Sequence, residues 1–144
     1  LIQSLVEGSG VTILDQPEDL IPALQTSDAM IATSGTITLQ AALCGTVGVT
    51  CYLTDAFSGF IGRRLVDLDK AILPNAILGR PLYPFYFQEA ATGKTLAAAT
   101  LDCLYDANAK SSARHAAIEL KSLLTGGAQS FDELVISALK NWLD

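Results

Sequence analysis

Short apolar runs of strand length, alternating with segments of helical spacing, predict an α/β fold: a parallel sheet with helices on both faces. Val11-Thr12-Ile13-Leu14, Ala29-Met30-Ile31-Ala32-Thr33 and Val47-Gly48-Val49-Thr50-Cys51-Tyr52 are almost wholly apolar or β-branched. Such unbroken runs are expected where both faces of a strand are covered. Right-handed crossovers through the intervening helices then follow from chain chirality. Half of the 144 residues are apolar and 17% are charged, which suits one globular domain with its own core.

Leu1–Glu7 is apolar at helical spacing and stops at Gly8-Ser9-Gly10. The chain opens inside that helix, with no initiator Met, basic leader or cleavage pattern, so it is expected to be a fragment. Val11–Leu14 reads as a buried strand. Asp15 and Pro17 open the next helix, whose buried face is expected at Leu20, Ile21 and Leu24. Ala29–Thr33 forms a strand ended by Ser34-Gly35-Thr36, and a small-residue helix from Ile37 to Cys44 stops at Gly45. Val47–Tyr52 is the third strand. A helix through Phe57, Phe60, Ile61 and Leu65 follows, then a weak strand at Ala71-Ile72-Leu73. Three prolines and a glycine make Pro74 to Gln88 irregular. Leu96–Asp106, Ser111–Leu124 and Phe131–Leu143 read as amphipathic helices, the last opened by the capping box Ser130-Phe131-Asp132-Glu133. Residues 1–144 thus form a single partial domain whose C-terminal helices occupy about 95–144.

Composition excludes several classes. The formal charge is −6, and the nine Lys and Arg are scattered, so the basic stripe of a nucleic-acid partner is missing. No apolar stretch approaches the roughly 20 residues of a membrane-spanning helix. Cys44, Cys51 and Cys103 are widely spaced among apolar neighbours without a CxxC, and read as reduced core residues of a cytosolic protein. No His, Cys or acidic cluster has ligand spacing, so neither a metal nor a cofactor is expected. Gly93-Lys94-Thr95 has Gln88 where a P-loop needs its first glycine, and reads as a turn with a helix cap. His115, beside Arg114, reads as part of a solvated helix face.

Ligands of parallel sheets bind beyond the C-terminal ends of the strands. Two segments qualify. In Ser34-Gly35-Thr36 the glycine admits close backbone approach, and the following helix adds free N–H donors at its positive end. The hydroxyls of Ser34 and Thr36 can bond the same phosphate, or all three residues can form an ordinary capped turn. Leu73-Pro74-Asn75-Ala76-Ile77-Leu78-Gly79-Arg80 offers an amide for a uracil or sugar edge and a guanidinium for phosphate. Equally, Asn75 can close an Asx-turn with Arg80 solvated. Tyr83-Pro84-Phe85-Tyr86-Phe87 gathers aromatics that suit either local core or contact with acyl chains or a partner domain.

These residues, taken together, resemble the lipid-A-disaccharide synthases. Ser34-Gly35-Thr36-x-Thr38-Leu39 is similar to that family's SGTxTLE helix start. Arg63-Arg64-Leu65-Val66, then Leu73-Pro74-Asn75 and Gly79-Arg80, keep its order and spacing, and Pro84 and Gln88-Glu89 continue into its PExxQE stretch. The resemblance implies the C-terminal, Rossmann-like half of a two-domain GT-B glycosyltransferase, which binds the UDP part of UDP-2,3-diacylglucosamine. It implies transfer of that sugar to lipid X, forming the β-1,6-linked disaccharide of lipid A with release of UDP and without a metal. Ser34, Gly35 and Thr36 would hold the diphosphate, and Asn75, Gly79 and Arg80 would line the donor cleft, with Gln40 and Gln88 beside them. The general base and the lipid X site would belong to an N-terminal domain, so these residues alone are expected to be inactive. The implied place is the cytoplasmic face of a Gram-negative inner membrane, with peripheral membrane contact and a homodimer both compatible.

The chain departs from the family pattern in three places. Gln40 replaces a glutamate that would grip the ribose hydroxyls, Leu53 a basic residue, and Phe85 the glutamate of PExxQ. An amide at Gln40 still accepts a hydrogen bond but lacks charge-assisted strength. These departures motivate a different class of function, a degenerate non-catalytic GT-B domain serving as a binding or assembly module. Another UDP-sugar enzyme of the same architecture, such as a UDP-GlcNAc epimerase, explains the Ser34-Gly35-Thr36 turn but not the Leu73–Arg80 spacing.

Overall fold

The computed structural model describes residue 4, residues 6–54 and residues 71–126. Among these, β1 (Met30–Thr33), β2 (Gly48–Tyr52) and β3 (Phe85–Phe87) form a parallel sheet in that order. Met30 pairs with Gly48 and Thr33 with Cys51 across β1 and β2, while Thr50 pairs with Phe85 and Tyr52 with Phe87 across β2 and β3. All three strands therefore end on one edge of the sheet, at Ser34, Leu53 and Gln88. Five helices surround it: α1 (Leu20–Thr26) behind a 3₁₀ turn at Pro17–Asp19, α2 (Thr36–Cys44), α3 (Leu73–Leu78), α4 (Gly93–Tyr105) and α5 (Ala107–Leu124).

Two layers of packing follow from strand alternation. Met30 and Ala32 turn to the face covered by α2, and join Leu24, Ala41, Ala42, Ile72, Tyr83 and Leu120 in the core. Ala41 and Ala42 are fully buried; their small side chains let α2 approach β1, α1, α3 and α5 closely. Val49, also fully buried but outside that cluster, faces the other way, where α4 crosses β2 and β1. Helices thus lie on both faces, as the sequence predicts. Burial of Ile72 alone contributes about 1.5–3 kcal/mol.

Two glycines make this geometry accessible. Gly45 ends α2 in the left-handed conformation (φ 75°), so that its N–H and that of Thr46 reach back to the carbonyls of Ala42 and Ala41. At Gly48 a Cβ would sit 2.2 Å from the Met30 carbonyl oxygen, so β1 and β2 can meet at that rung only around a residue with no side chain.

Several expectations need correction. Val11–Leu14 forms no strand; Val11, Ile13 and Leu14 are exposed. A β-branched run becomes a strand only when an edge accepts its hydrogen bonds, and none of the described strands pairs with it. Ala71-Ile72-Leu73 is a bend leading into α3, because Pro74 in the first turn suits a helix start and not a ladder. The supposedly irregular segment Pro74 to Gln88 holds both α3 and β3. Ile21 is exposed although Leu24 is buried. The cysteines are free but only half-buried. The second and third strands, the Ile37–Cys44 helix and the first two C-terminal helices lie where expected within a few residues. The helix through Phe57 to Leu65 and the Phe131–Leu143 helix lie outside the described residues, as does most of Leu1–Glu7.

Candidate functional site

Ser34 leaves β1 on the C-terminal edge of the sheet and is held from two sides. Its N–H donates to the Cys51 carbonyl (3.1 Å), extending the β1–β2 ladder, and its hydroxyl donates to the Ala71 carbonyl (2.8 Å). With its proton so engaged, the Ser34 oxygen can accept a hydrogen bond but cannot give one to a phosphate. Gly35 follows in extended backbone, and among the described residues nothing lies within 4 Å of where its Cβ would be, which leaves that face open to a ligand on the described side. Buried Thr38 reaches back to the Gly35 carbonyl with both its N–H (3.1 Å) and its hydroxyl (2.7 Å). That contact fixes the entry angle of α2.

Among the described residues no side chain caps α2. The N–H groups of Thr36 and Ile37 therefore stand at the positive end of the helix beside the open face of Gly35. Thr36 is exposed and its hydroxyl has no partner among the described residues. Gln40 lies one turn along the same side of α2, half-buried. Across the edge, Gln88 leaves β3, roughly 9–10 Å from the β1 end at two strand spacings. Its amide bonds the backbone of Thr54, which has just left β2.

The Leu73–Arg80 segment departs from this cluster. α3 begins beside Ser34 and runs down the core toward the opposite edge. Asn75, 3% exposed, is spent on the chain leading to β3: its Oδ1 accepts from Leu82 N–H (2.9 Å) and Tyr83 N–H (3.1 Å), and its Nδ2 donates to the Tyr83 carbonyl (3.0 Å). Gly79 ends α3 in the left-handed conformation (φ 65°). Arg80 then forms a two-point salt bridge with Glu119 of α5, at 3.1 and 2.6 Å, with both side chains about half exposed. It lines a cavity of about 240 Å³ with Gly48, Tyr83, Cys103, Ser112 and His115. Gly48 opens β2 and Tyr83 precedes β3, so this cavity lies at the N-terminal edge of the sheet. Ser34, Gly35, Thr36, Gln40 and Gln88 are brought to one edge; Arg80 is not.

The electrostatics agree with a structural role for that second edge. Tyr83 donates its hydroxyl to the Thr46 carbonyl (2.7 Å), and burial, with a smaller contribution from Cys44, pushes the phenol well above its usual range. Burial likewise raises the Cys103 thiol, helped by Asp102 and Asp106, which leaves it a poor nucleophile. His115 is exposed, with Nδ1 2.9 Å from the Ser111 carbonyl. Gly93-Lys94-Thr95 starts α4, where Thr92 Oγ1 accepts from Thr95 N–H. Among the described residues no His, Cys, Asp or Glu cluster could hold a metal, and no helix is long and apolar enough to cross a membrane. Sequence reasoning missed Thr54 and Glu119. Glu119 is 39 residues from Arg80, and no local periodicity links such a pair.

A parallel α/β sheet with an uncapped helix N-terminus and an open glycine at its C-terminal edge is an α/β domain of the Rossmann-like class, and such an edge can chemically accept an anion. Comparison with known proteins narrows this. The lipid-A-disaccharide synthetase family model matches residues 8–138, and the chain belongs to that family. It is 32% identical over 125 residues to lipid-A-disaccharide synthase of Nitrosococcus oceani, covering 86% of this chain and 32% of that protein. It is 35% identical over 134 residues to that of Paraburkholderia xenovorans, covering 92% and 34%. With the Syntrophotalea carbinolica protein it shares 38% identity over 93 residues, 63% of this chain and 23% of that one. The chain thus spans about a third or less of the length of these relatives.

Proposed function

We propose that these residues form the donor-binding part of a lipid-A-disaccharide synthase, a glycosyltransferase that moves diacylglucosamine from UDP to lipid X and releases UDP. The observation that carries this reading is the uncapped start of α2 beside the open face of Gly35. The diphosphate would lie there, taking hydrogen bonds from the N–H groups of Thr36 and Ile37 and from the Thr36 hydroxyl. As the bond from sugar carbon to phosphate oxygen breaks, negative charge grows on the leaving UDP, and donors already aimed at it stabilise that charge. Ser34 shapes this rim through Ala71, and Gln40, one turn along α2, would meet the ribose. Asn75 and Gly79 act as frame for the segment between α3 and β3. Arg80, tied to Glu119 at the opposite edge, would take no part in holding the donor.

On this reading the acceptor site and general base come from another part of the enzyme, which works at the cytoplasmic face of the inner membrane. Calorimetric titration of the chain with UDP and UDP-GlcNAc tests it. Saturable binding of both is expected, with no disaccharide formed by these residues alone; absence of UDP binding at millimolar concentration would sink the donor site. Gln40, which lacks a carboxylate for the ribose, favours a second reading as a binding module without transfer. A transferase that binds UDP but forms no disaccharide when complete would support it.

A further inference from the structure

We propose that Gln88 is a positioning residue that locks the chain leaving β2 to the chain leaving β3 and so sets the far wall of the rim; its role in nucleotide binding rests on the donor reading above. Among the described residues, Gln88 is the non-glycine residue with positive φ (53°). A Cβ disfavours that conformation, and it persists where the surroundings impose it. Here the surroundings are identifiable. The Gln88 Nε2 donates to the Thr54 carbonyl (2.9 Å), and Thr54 N–H donates to the Gln88 Oε1 (3.2 Å). The side-chain amide thus stands in for a strand, adding a reciprocal pair just beyond the last backbone rung at Tyr52 and Phe87. The left-handed backbone turns the side chain out of the strand's alternation and toward β2.

On the other side of β2, Ser34 is tied to Cys51 and Ala71. With Thr54 tied to Gln88, the segments leaving all three strands are held before any ligand arrives. A rim ordered in advance loses less conformational freedom on binding. Removing the amide should therefore weaken nucleotide binding through disorder at Thr54, not through a lost contact to the nucleotide.

The test uses the full chain with Q88G, which suits the left-handed backbone but has no amide, and Q88M, which keeps the length but forms no such bonds. Amide hydrogen exchange at Thr54 is read without nucleotide, against Val49 in the buried sheet as reference, and UDP affinity is read by calorimetry. Both variants should exchange at Thr54 at least about tenfold faster, with Val49 unchanged, and should bind UDP about tenfold more weakly (1.4 kcal/mol). Unchanged Thr54 exchange with weakened UDP binding would mean that Gln88 touches the nucleotide, and would overturn the proposal. Faster Thr54 exchange with unchanged UDP affinity would overturn it too. A wild-type chain that binds no UDP would instead defeat the donor reading, and with it the purpose assigned to this clamp.

Discussion

Replacing Asn75 with alanine should damage the fold far more than nucleotide binding. Its side chain is 3% exposed and makes three hydrogen bonds to backbone groups of Leu82 and Tyr83. Asn75→Ala leaves the N–H and carbonyl of Tyr83, itself 2% exposed, without those partners, and does the same to the half-buried N–H of Leu82. Each buried unpaired group costs about 1–3 kcal/mol. Water can reach Leu82, so the total should fall at about 3–5 kcal/mol, a large share of the roughly 5–15 kcal/mol that holds a domain. The loss should spread to the Tyr83 hydroxyl on Thr46 and to the start of β3, where Thr50 N–H donates to the Pro84 carbonyl. Asn75→Asp keeps the acceptor but loses the donor to the Tyr83 carbonyl, so it should cost about 1–3 kcal/mol. Urea unfolding followed by circular dichroism reads both. A loss under about 1 kcal/mol in Asn75→Ala, together with collapse of UDP affinity, would refute the structural role and make Asn75 a ligand contact.

Other substitutions separate the two edges of the sheet. Gly48→Ala places a Cβ 2.2 Å from the Met30 oxygen and should cost about 3 kcal/mol or more by parting β1 from β2; thermal melts check it. Arg80→Ala removes a half-exposed ion pair with Glu119, so it should cost less than about 1 kcal/mol, less still at high salt, and leave UDP affinity within about twofold. Tyr83→Phe should cost about 1–2 kcal/mol through the lost bond to Thr46. It should also alter the alkaline limb of stability. The folded phenol titrates above its unfolded value, so its contribution is complete below about pH 10 and declines as pH rises beyond that. Denaturation from pH 8 to 11 should show a shallower fall in Tyr83→Phe.

Much of the fold was legible where one local rule decided the outcome. The helix from Thr36 to Cys44 has a glycine stop at Gly45, and Met30–Thr33 and Gly48–Tyr52 are short, largely apolar runs that read as strands, although Ile31, Thr33 and Tyr52 are exposed and not covered on both faces. The rest depended on distant partners. Val11–Leu14 has strand chemistry and no neighbouring edge among the described strands. Phe85–Phe87 follows Pro84 and looks like a loop until β2 supplies its pairing partner and Tyr52 stacks on Phe87 at 6.5 Å. At the site, Ser34-Gly35-Thr36 was legible because glycine before a helix has a local meaning. Asn75 and Arg80 were legible as special residues, but both readings of them were open. Adjacency in sequence hides that a six-residue helix, α3, carries Arg80 away from the edge where it begins.

The most direct test is therefore a two-dimensional amide NMR titration of the chain with UDP. The largest shifts should fall at Gly35, Thr36 and Ile37, extend to Gln40 and Thr54, and leave Arg80, Ser112 and His115 unmoved. Saturable shifts centred on Arg80 and His115, or none at Gly35–Ile37 at millimolar UDP, would contradict a donor site at the C-terminal edge of the sheet.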